Sequence, residues 1–306
     1  MEIKSEYINI RGLARNFGKT EALKGIDISI SRPGVYGFLG PNGAGKTTTF
    51  KIICALLRPT SGSVRVCGID VFRNTVEAMS NLGVQFDSPA FYPYLSGREN
   101  LILKKRWLAG HKTLEVEDMI EMSGLKDAAD RKVKEYSWGM KQRLSLAAAL
   151  LPDPRVLLLD EPTNGLDPAG IAYMRKLIPL LAREEGRAVL LSSHRMEEIQ
   201  QICDSMIIIH RGEIIISGTD SQLRMIEIHS EDPETAEKLI GEIHQIVNFK
   251  RTGEKILEVI APSLTTGQLG EKLSGSGAGI ENIREKEYRL EEIFLRLTGE
   301  ETDNHG

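Results

Sequence analysis

What the chain lacks narrows its class first. No apolar run approaches the roughly 18–20 residues that a membrane span needs. The longest, around Val156–Leu159 and Met206–Ile209, have the length of strands. Cysteine is scarce: Cys54, Cys67 and Cys203 lie far apart, are odd in number and form no CxxC pair. That argues against a disulfide framework or a cysteine metal site, and buried thiols in a reducing cytosol are expected. There is no basic excess, since 39 Lys and Arg stand against 43 Asp and Glu, a net charge of −4. Such a balance offers no electrostatic footprint for nucleic acid, so no nucleic-acid partner is expected. The opening stretch, MEIKSEYINIRG, has no apolar core of the signal-peptide kind. What is present is ordinary for a soluble protein, 41% apolar and 27% charged over 306 residues, enough for one or two domains.

Along residues 1–220 strand and helix signals alternate. The strand-like runs are VYGFLG, SVRVCG, LGVQF, VLLLD, AVLLSS and SMIIIHRG. Helical runs are read at Thr47–Leu57, Arg98–Ala109, Thr113–Met122, Met140–Leu151, Ala169–Glu185 and Met196–Cys203. Short apolar strands followed by amphipathic helices predict an α/β fold, a mainly parallel sheet covered on both faces. Arg211-Gly212, between MIIIH and EIIISG, reads as a tight hairpin turn. After Ser217-Gly218 the pattern becomes βαββαβ with one added helix, which resembles a ferredoxin-like unit. Its elements are expected at Arg224–His229, Pro233–Ile243, Ile246–Lys250, Ile256–Ile260, Leu264–Leu273, Ile280–Glu287 and Leu290–Leu297. The two domains expected are 1–221 and 222–306, with SGSGAG as a loop inside the second.

Gly40-Pro41-Asn42-Gly43-Ala44-Gly45-Lys46-Thr47-Thr48 follows a strand and opens a helix. It fits G-x-x-x-x-G-K-[ST]. Glycines let the backbone curl so that successive N–H groups converge on phosphate oxygens, and the helix N-terminus adds partial positive charge. Lys46 is placed for the β- and γ-phosphates and the Thr47 hydroxyl for Mg²⁺. A second apolar strand, VLLLD, ends in Asp160 and Glu161. Acids at that end of a parallel strand stand where ligands bind. Asp160 suits Mg²⁺ and Glu161 suits a general base acting on water. His194 also follows an apolar strand and is expected at the same edge, against a γ-phosphate.

Together these residues, ordered and spaced across 1–220, resemble the ATP-binding-cassette (ABC) ATPase family. GPNGAGKTT looks like its Walker A motif, VLLLDEP like Walker B, YSWGMKQR like its signature and GLDP like its D-loop. His194 falls at the switch-histidine position. NFGKTEALKGI resembles the segment that carries an adenine-stacking aromatic, here Phe17, whose alternative is a core role at a strand end. The resemblance implies a P-loop cassette with a helical subdomain, ATP and Mg²⁺ as ligands, and hydrolysis coupled to transport. Gly40, Asn42, Gly43, Ala44, Gly45, Lys46, Thr47 and Thr48 would hold nucleotide, as would Ser137, Gly139 and Asp167. Thr47, Asp160 and Asp87 would hold the metal, and Glu161, His194 and Lys46 would be catalytic. For the family's Q-loop glutamine, Gln85 and Asp87 compete. The register of FYP…L…ENL favours Asp87.

The signature departs from the common Leu-Ser-Gly-Gly-Gln: Ser137 and Gly139 stand, but Trp138 and Met140 replace a glycine and the glutamine. Family cassettes pair head to tail, each ATP lying between one chain's phosphate loop and the other's signature. One motif of each kind therefore implies a second cassette chain, in a homodimer or heterodimer. The resemblance also implies polytopic permease subunits, which would hold the chain at the inner face of the membrane. Their docking surface is expected around Asp87–Asn100, with Phe91, Tyr92 and Tyr94 exposed. Within the family, the spacing and the ending RLEEIFLRLTGE resemble the bacitracin- and lantibiotic-type exporter branch. The competing class is a soluble ABC ATPase working on ribosomes or nucleic acid. For residues 222–306 both a regulatory and a dimerisation role stay open.

Overall fold

The computed structural model describes residues 6–87, 89–108, 110–218, 224–261, 264–274, 277–288 and 290–298. The chain divides into two compact units, Met1–Ile214 and Ile215–Gly306. The boundary expected at 221/222 lies outside the described residues.

The first unit opens with a hairpin, β1 (Ile8–Phe17) and β2 (Thr20–Ile30), before the first core strand, β3 (Gly34–Leu39). Helix α1 (Lys46–Ile53) follows, then β4 (Ser61–Val66), β5 (Ile69–Asp70), α2 (Thr75–Ser80) and β6 (Leu82–Gln85). A helical segment comes next: α3 (Gly97–Trp107), α4 (Val116–Met122) and α5 (Trp138–Leu150). The unit returns to its sheet through β7 (Val156–Asp160), α6 (Pro168–Arg183), β8 (Ala188–Ser193), α7 (Met196–Ile202), β9 (Ser205–His210) and β10 (Glu213–Gly218). The division between the units falls within β10.

The central sheet has the order β10-β9-β3-β8-β7-β6. The pairs β9–β3, β3–β8, β8–β7 and β7–β6 are all parallel. VLLLD and AVLLSS are buried along their whole length, as strands covered on both faces must be. Phe38 on β3 stacks on Phe50 of α1 with ring centroids 6.1 Å apart, fixing the helix after the phosphate loop against the sheet. Arg211 and Gly212 take φ values of +48° and +82°, the two positive angles of a type I′ hairpin turn between β9 and β10.

A second sheet, β2-β1-β4-β5, is antiparallel. This corrects the expected placement of SVRVCG, which pairs here and not in the parallel sheet. The β1–β2 hairpin and α2 were not anticipated. INIRGLARNF hides its strand alternation because the register slips between Ile10 and Leu13 and again beyond it, so the buried residues Ile8, Ile10 and Leu13 do not keep a spacing of two. Helix ends fall within four residues of expectation, and caps fix several of them: Ser96 and Glu99 form a capping box for α3, and Ser137 and Asp167 cap α5 and α6.

The second unit contains β11 (Met225–Ser230), α8 (Pro233–Gly241), β12 (Asn248–Arg251), β13 (Ile256–Ile260), α9 (Thr266–Leu273), β14 (Ile280–Lys286) and α10 (Leu290–Thr298). Its antiparallel sheet runs β12-β13-β11-β14. Numbered within the unit this is 2-3-1-4, the ferredoxin-like order, with α10 added after it. Ile226, Ile228, Leu257 and Val259 form a core with Ala236, Ile240, Leu269 and Leu273 of α8 and α9. Alternate residues carry charge: Glu227 pairs with Arg284, and Glu258 with Lys286 and with Arg296 of α10. Residues 275 and 276 of SGSGAG lie outside the described residues.

Candidate active site

Strand β3 leaves the core at Leu39 and the chain curls through Gly40–Gly45 into α1. Gly43 and Gly45 adopt φ of +81° and +117°, a region that glycine alone enters freely. Behind the loop there is no room. A β-carbon on Gly45 would stand 2.7 Å from Leu23 Cδ2, and one on Gly40 would stand 2.3 Å from the Ile209 carbonyl oxygen. Around Gly43, by contrast, the space is open. The first N–H groups of α1 have no helical acceptor. Lys46, Thr47 and Thr48 border a cavity of about 330 Å³ together with Pro41, Asn42, Gly43 and Gly45.

Lys46 is only 7% exposed. Its Nζ donates to the carbonyls of Gly40 at 2.5 Å and Pro41 at 3.2 Å. Glu161 Oε1 lies 3.9 Å away. Burial lowers the Lys46 pKa, and the charges of Glu161 and Asp160 oppose that shift. An incoming phosphate would give this buried ammonium a closer anionic partner.

The opposite wall comes from the ends of β7 and β8. Asp160 is 4% exposed. It accepts from Ser192 Oγ at 2.5 Å and from Thr47 Oγ1 at 3.3 Å. Ser192 Oγ in turn accepts the backbone N–H of Glu161 at 3.0 Å. Glu161 sits at φ +49°, a left-handed conformation that costs a non-glycine residue energy and marks functional turns. His194 Nδ1 lies 2.9 Å from Glu161 Oε2. Burial raises the Glu161 pKa, with His194 and then Lys46 pulling it back. A raised carboxylate pKa makes a stronger proton acceptor. Deeper still, buried Glu198 accepts from Thr163 Oγ1 at 2.5 Å and Ser193 Oγ at 3.2 Å, tying the loop after β7 to the end of β8.

Asp87 and Asn164 complete the cavity lining with Asp160, Glu161 and His194. Asn164 Nδ2 donates to Asp87 Oδ1 at 3.1 Å. Gln85 is fully buried on β6 and its amide faces Gln142 of α5. Of the two residues weighed for the Q-loop position, the cavity contains Asp87.

The remaining expected residues lie elsewhere. Gly40 and Ala44 belong to the loop but are buried and do not line the cavity. Phe17, half exposed, ends β1 beneath the Arg15 guanidinium, 4.6 Å from the ring centroid, and is not among the lining residues. Asp167 caps α6 by accepting from Gly170 N–H at 2.9 Å. Ser137 caps α5 by accepting from Met140 N–H at 3.2 Å, with Gly139 in the first turn. Neither signature residue lines this chain's own cavity. Sequence reasoning missed Asn164 and Ser192. Both had a faint signal, as polar residues where an apolar strand gives way to a loop.

A glycine loop closing on a helix N-terminus, with a buried lysine and two strand-end carboxylates opposite, defines a P-loop nucleoside triphosphatase. Comparison with known proteins narrows the class. The family model described as ABC transporter matches residues 23–164. The bacitracin transport ATP-binding protein BcrA of Bacillus licheniformis is 34% identical over 96% of this chain and 98% of its own length. A Nod factor export ATP-binding protein of Burkholderia lata is 36% identical over 96% of this chain and 97% of its own. Among solved structures, CbiO1 of Clostridium perfringens, part of an ABC transporter complex, superimposes with a TM-score of 0.62 at 27% identity, covering 70% of this chain and 89% of that one. The chain belongs to the ATP-binding subunits of ABC transporters, the ATP-hydrolysing cassettes of those machines.

Proposed function

We propose that this cassette powers export of a drug, antibiotic peptide or similar compound through a separate membrane permease. The observation that carries the reading is similarity along both units: the bacitracin and Nod factor relatives each align over 96% of the chain. No helix among the described residues is long and apolar enough to cross a membrane, so the membrane path is assigned to other subunits. They would hold the chain at the cytoplasmic face.

In this reading the loop N–H groups of Asn42–Thr48 bind the phosphates, and Lys46 bridges the β- and γ-phosphates. Phe17 offers an exposed ring face for the base. The donor set fits Mg²⁺, a hard cation that takes oxygen ligands and keeps most of its shell as water and phosphate. No cluster of three or more His, Cys, Asp or Glu suited to caging a metal occurs among the described residues. An ion arriving with nucleotide needs only one or two protein carboxylates, here Asp160 and Asp87, with the Thr47 hydroxyl beside them. Bound there, it would offset charge on the phosphates. Glu161 orients the attacking water and accepts its proton. His194 holds Glu161 Oε2 and stands at the γ-phosphate side.

Ser137 and Gly139 then serve a second chain, clasping the γ-phosphate held in that chain's loop. The permease is assigned to a cavity of about 290 Å³ beside Asp87, lined by Phe86, Phe91, Tyr92, Leu103 and Trp107 among others. Trp107 meets Tyr92 edge-on at 6.3 Å, and both are exposed. Phe91, expected on the surface, is half-buried in this groove, while Tyr94 is exposed and packs under Lys134. For the second unit, regulation and dimerisation remain the two roles proposed. The test is purification of the tagged chain from detergent-solubilised membranes of its source cells. A polytopic membrane protein should co-purify in fixed ratio. Recovery with ribosomes or nucleic acid instead would overturn the transport reading.

A further inference from the structure

Trp138 breaks the family's glycine pattern and does not line the nucleotide cavity. Its side chain nevertheless has a definite partner. The indole Nε1–H donates to the carbonyl of Asn164 at 2.9 Å. The ring lies against Gly165, where an added β-carbon would come within 2.8 Å of Trp138 Cδ1 and Nε1. Asn164 lines the cavity and its side-chain amide holds Asp87 Oδ1 at 3.1 Å. The Asp87 carbonyl accepts from Nε2 of Gln142 at 3.0 Å, and Gln142 is buried on the same helix as Trp138. The contacts therefore close a ring: Trp138 to Asn164, Asn164 to Asp87, Asp87 to Gln142, and Gln142 back along α5 to Trp138.

We infer that Trp138 is a positioning residue that couples this chain's own nucleotide cavity to the signature segment it presents to a second chain. Asp87 and Asn164 border the space for the phosphates. Ser137 and Gly139 flank Trp138 at the start of α5. A ligand that draws Asp87 or Asn164 inward pulls on the α5 N-terminus through the Trp138 hydrogen bond, and so re-aims the two residues offered to the other chain. A glycine, usual at this position, could neither make that bond nor fill the space over Gly165. The link would make pairing sensitive to whether the chain's own site is filled. The inference rests on the paired-ATPase reading proposed above.

The test is a double-mutant cycle on the full chain with Trp138→Phe, which keeps a ring but loses the N–H donor, and Asn164→Ala, which cuts the link to Asp87. Each variant is first checked for the wild-type circular dichroism spectrum. Hydrolysis is then followed against ATP concentration. Wild type should show a Hill coefficient approaching 2, roughly the number of sites. Trp138→Phe should bring it to about 1 and lower kcat about 2–12-fold, the span of one neutral hydrogen bond. ATP affinity at chain concentrations too low for pairing should stay unchanged. The double variant should be no worse than the more affected single variant, because both cut one path. A folded Trp138→Phe chain with wild-type Hill coefficient and kcat would overturn the inference, as would strictly additive losses. If the paired-ATPase reading itself is wrong, wild type will already show no cooperative ATP turnover, which separates the two failures.

Discussion

Replacing Glu161 with Gln probes the chemistry with the least change in shape. The side chain keeps its size, and the backbone N–H that meets Ser192 Oγ is untouched. The left-handed turn at φ +49° should therefore persist. What disappears is the proposed proton acceptor. In the wild type, burial raises the pKa of this carboxyl, making it a better base, while His194 at 2.9 Å and Lys46 at 3.9 Å keep it partly stabilised as the anion. An amide has no such capacity, and a general base contributes about 10²–10⁴ in rate. Turnover, measured as released phosphate under saturating ATP and Mg²⁺, should fall by that factor. The phosphate loop and Lys46 are intact, so ATP affinity should stay within about threefold, less than 1 kcal/mol. ATP should also hold two such chains together on size-exclusion chromatography, since the nucleotide is bound and not consumed. Turnover above about a tenth of wild type would show that another group takes the proton.

Lys46→Ala acts on binding instead. A charge-assisted hydrogen bond is worth about 1.5–3 kcal/mol, so the Kd for a fluorescent ATP analogue should rise roughly 10–150-fold. Gly45→Ala should be damaging without touching any charge. At φ +117° its β-carbon meets Leu23 Cδ2 at 2.7 Å and the Ala22 carbonyl at 3.0 Å, and strain of about 1–3 kcal/mol should lower Tm by roughly 3–10 °C in a thermal melt. The pH dependence follows from the direction of the Glu161 shift. As the proposed general base, Glu161 would have to be deprotonated to act, and burial holds its pKa above the ordinary carboxylate range. Turnover should therefore fall as pH drops through that raised value. His194 is the strongest influence pulling the pKa down. His194→Ala should move the acid limb of the kcat profile to higher pH, and a shift the other way would contradict the assignment.

The parts of the site that could be read from residue order alone are local ones. The phosphate loop is nine consecutive residues whose glycines, lysine and threonine each have a separate physical reason. Asp160 and Glu161 stood out because an apolar strand stops at them. For Ser137 and Gly139 the residues themselves pointed only to a helix start offering N–H groups, and the proposed γ-phosphate role came through family resemblance, because it would lie in contact with another chain. What escaped is non-local. Asn164 meets Asp87 across 77 positions of sequence, and Ser192 meets Asp160 across 32. No periodicity announces such contacts. The β1–β2 hairpin escaped for another reason: its bulges break the period-two alternation that marks a strand. The second unit was easier, since its short strands and capped helices follow one another with clear turns. Asp232 caps α8 and Thr265 with Gln268 forms a capping box for α9.

The central claim is that one chain supplies half of each working site: the loop and carboxylates for its own ATP, the signature for its neighbour's. The most direct measurement is ATP turnover per chain as a function of chain concentration, alongside the sedimentation behaviour of the same samples with ATP. Turnover per chain should rise with concentration and level off as pairs form, with monomers binding ATP but hydrolysing almost none. A constant turnover per chain, extending down to concentrations where only monomers sediment, would contradict it.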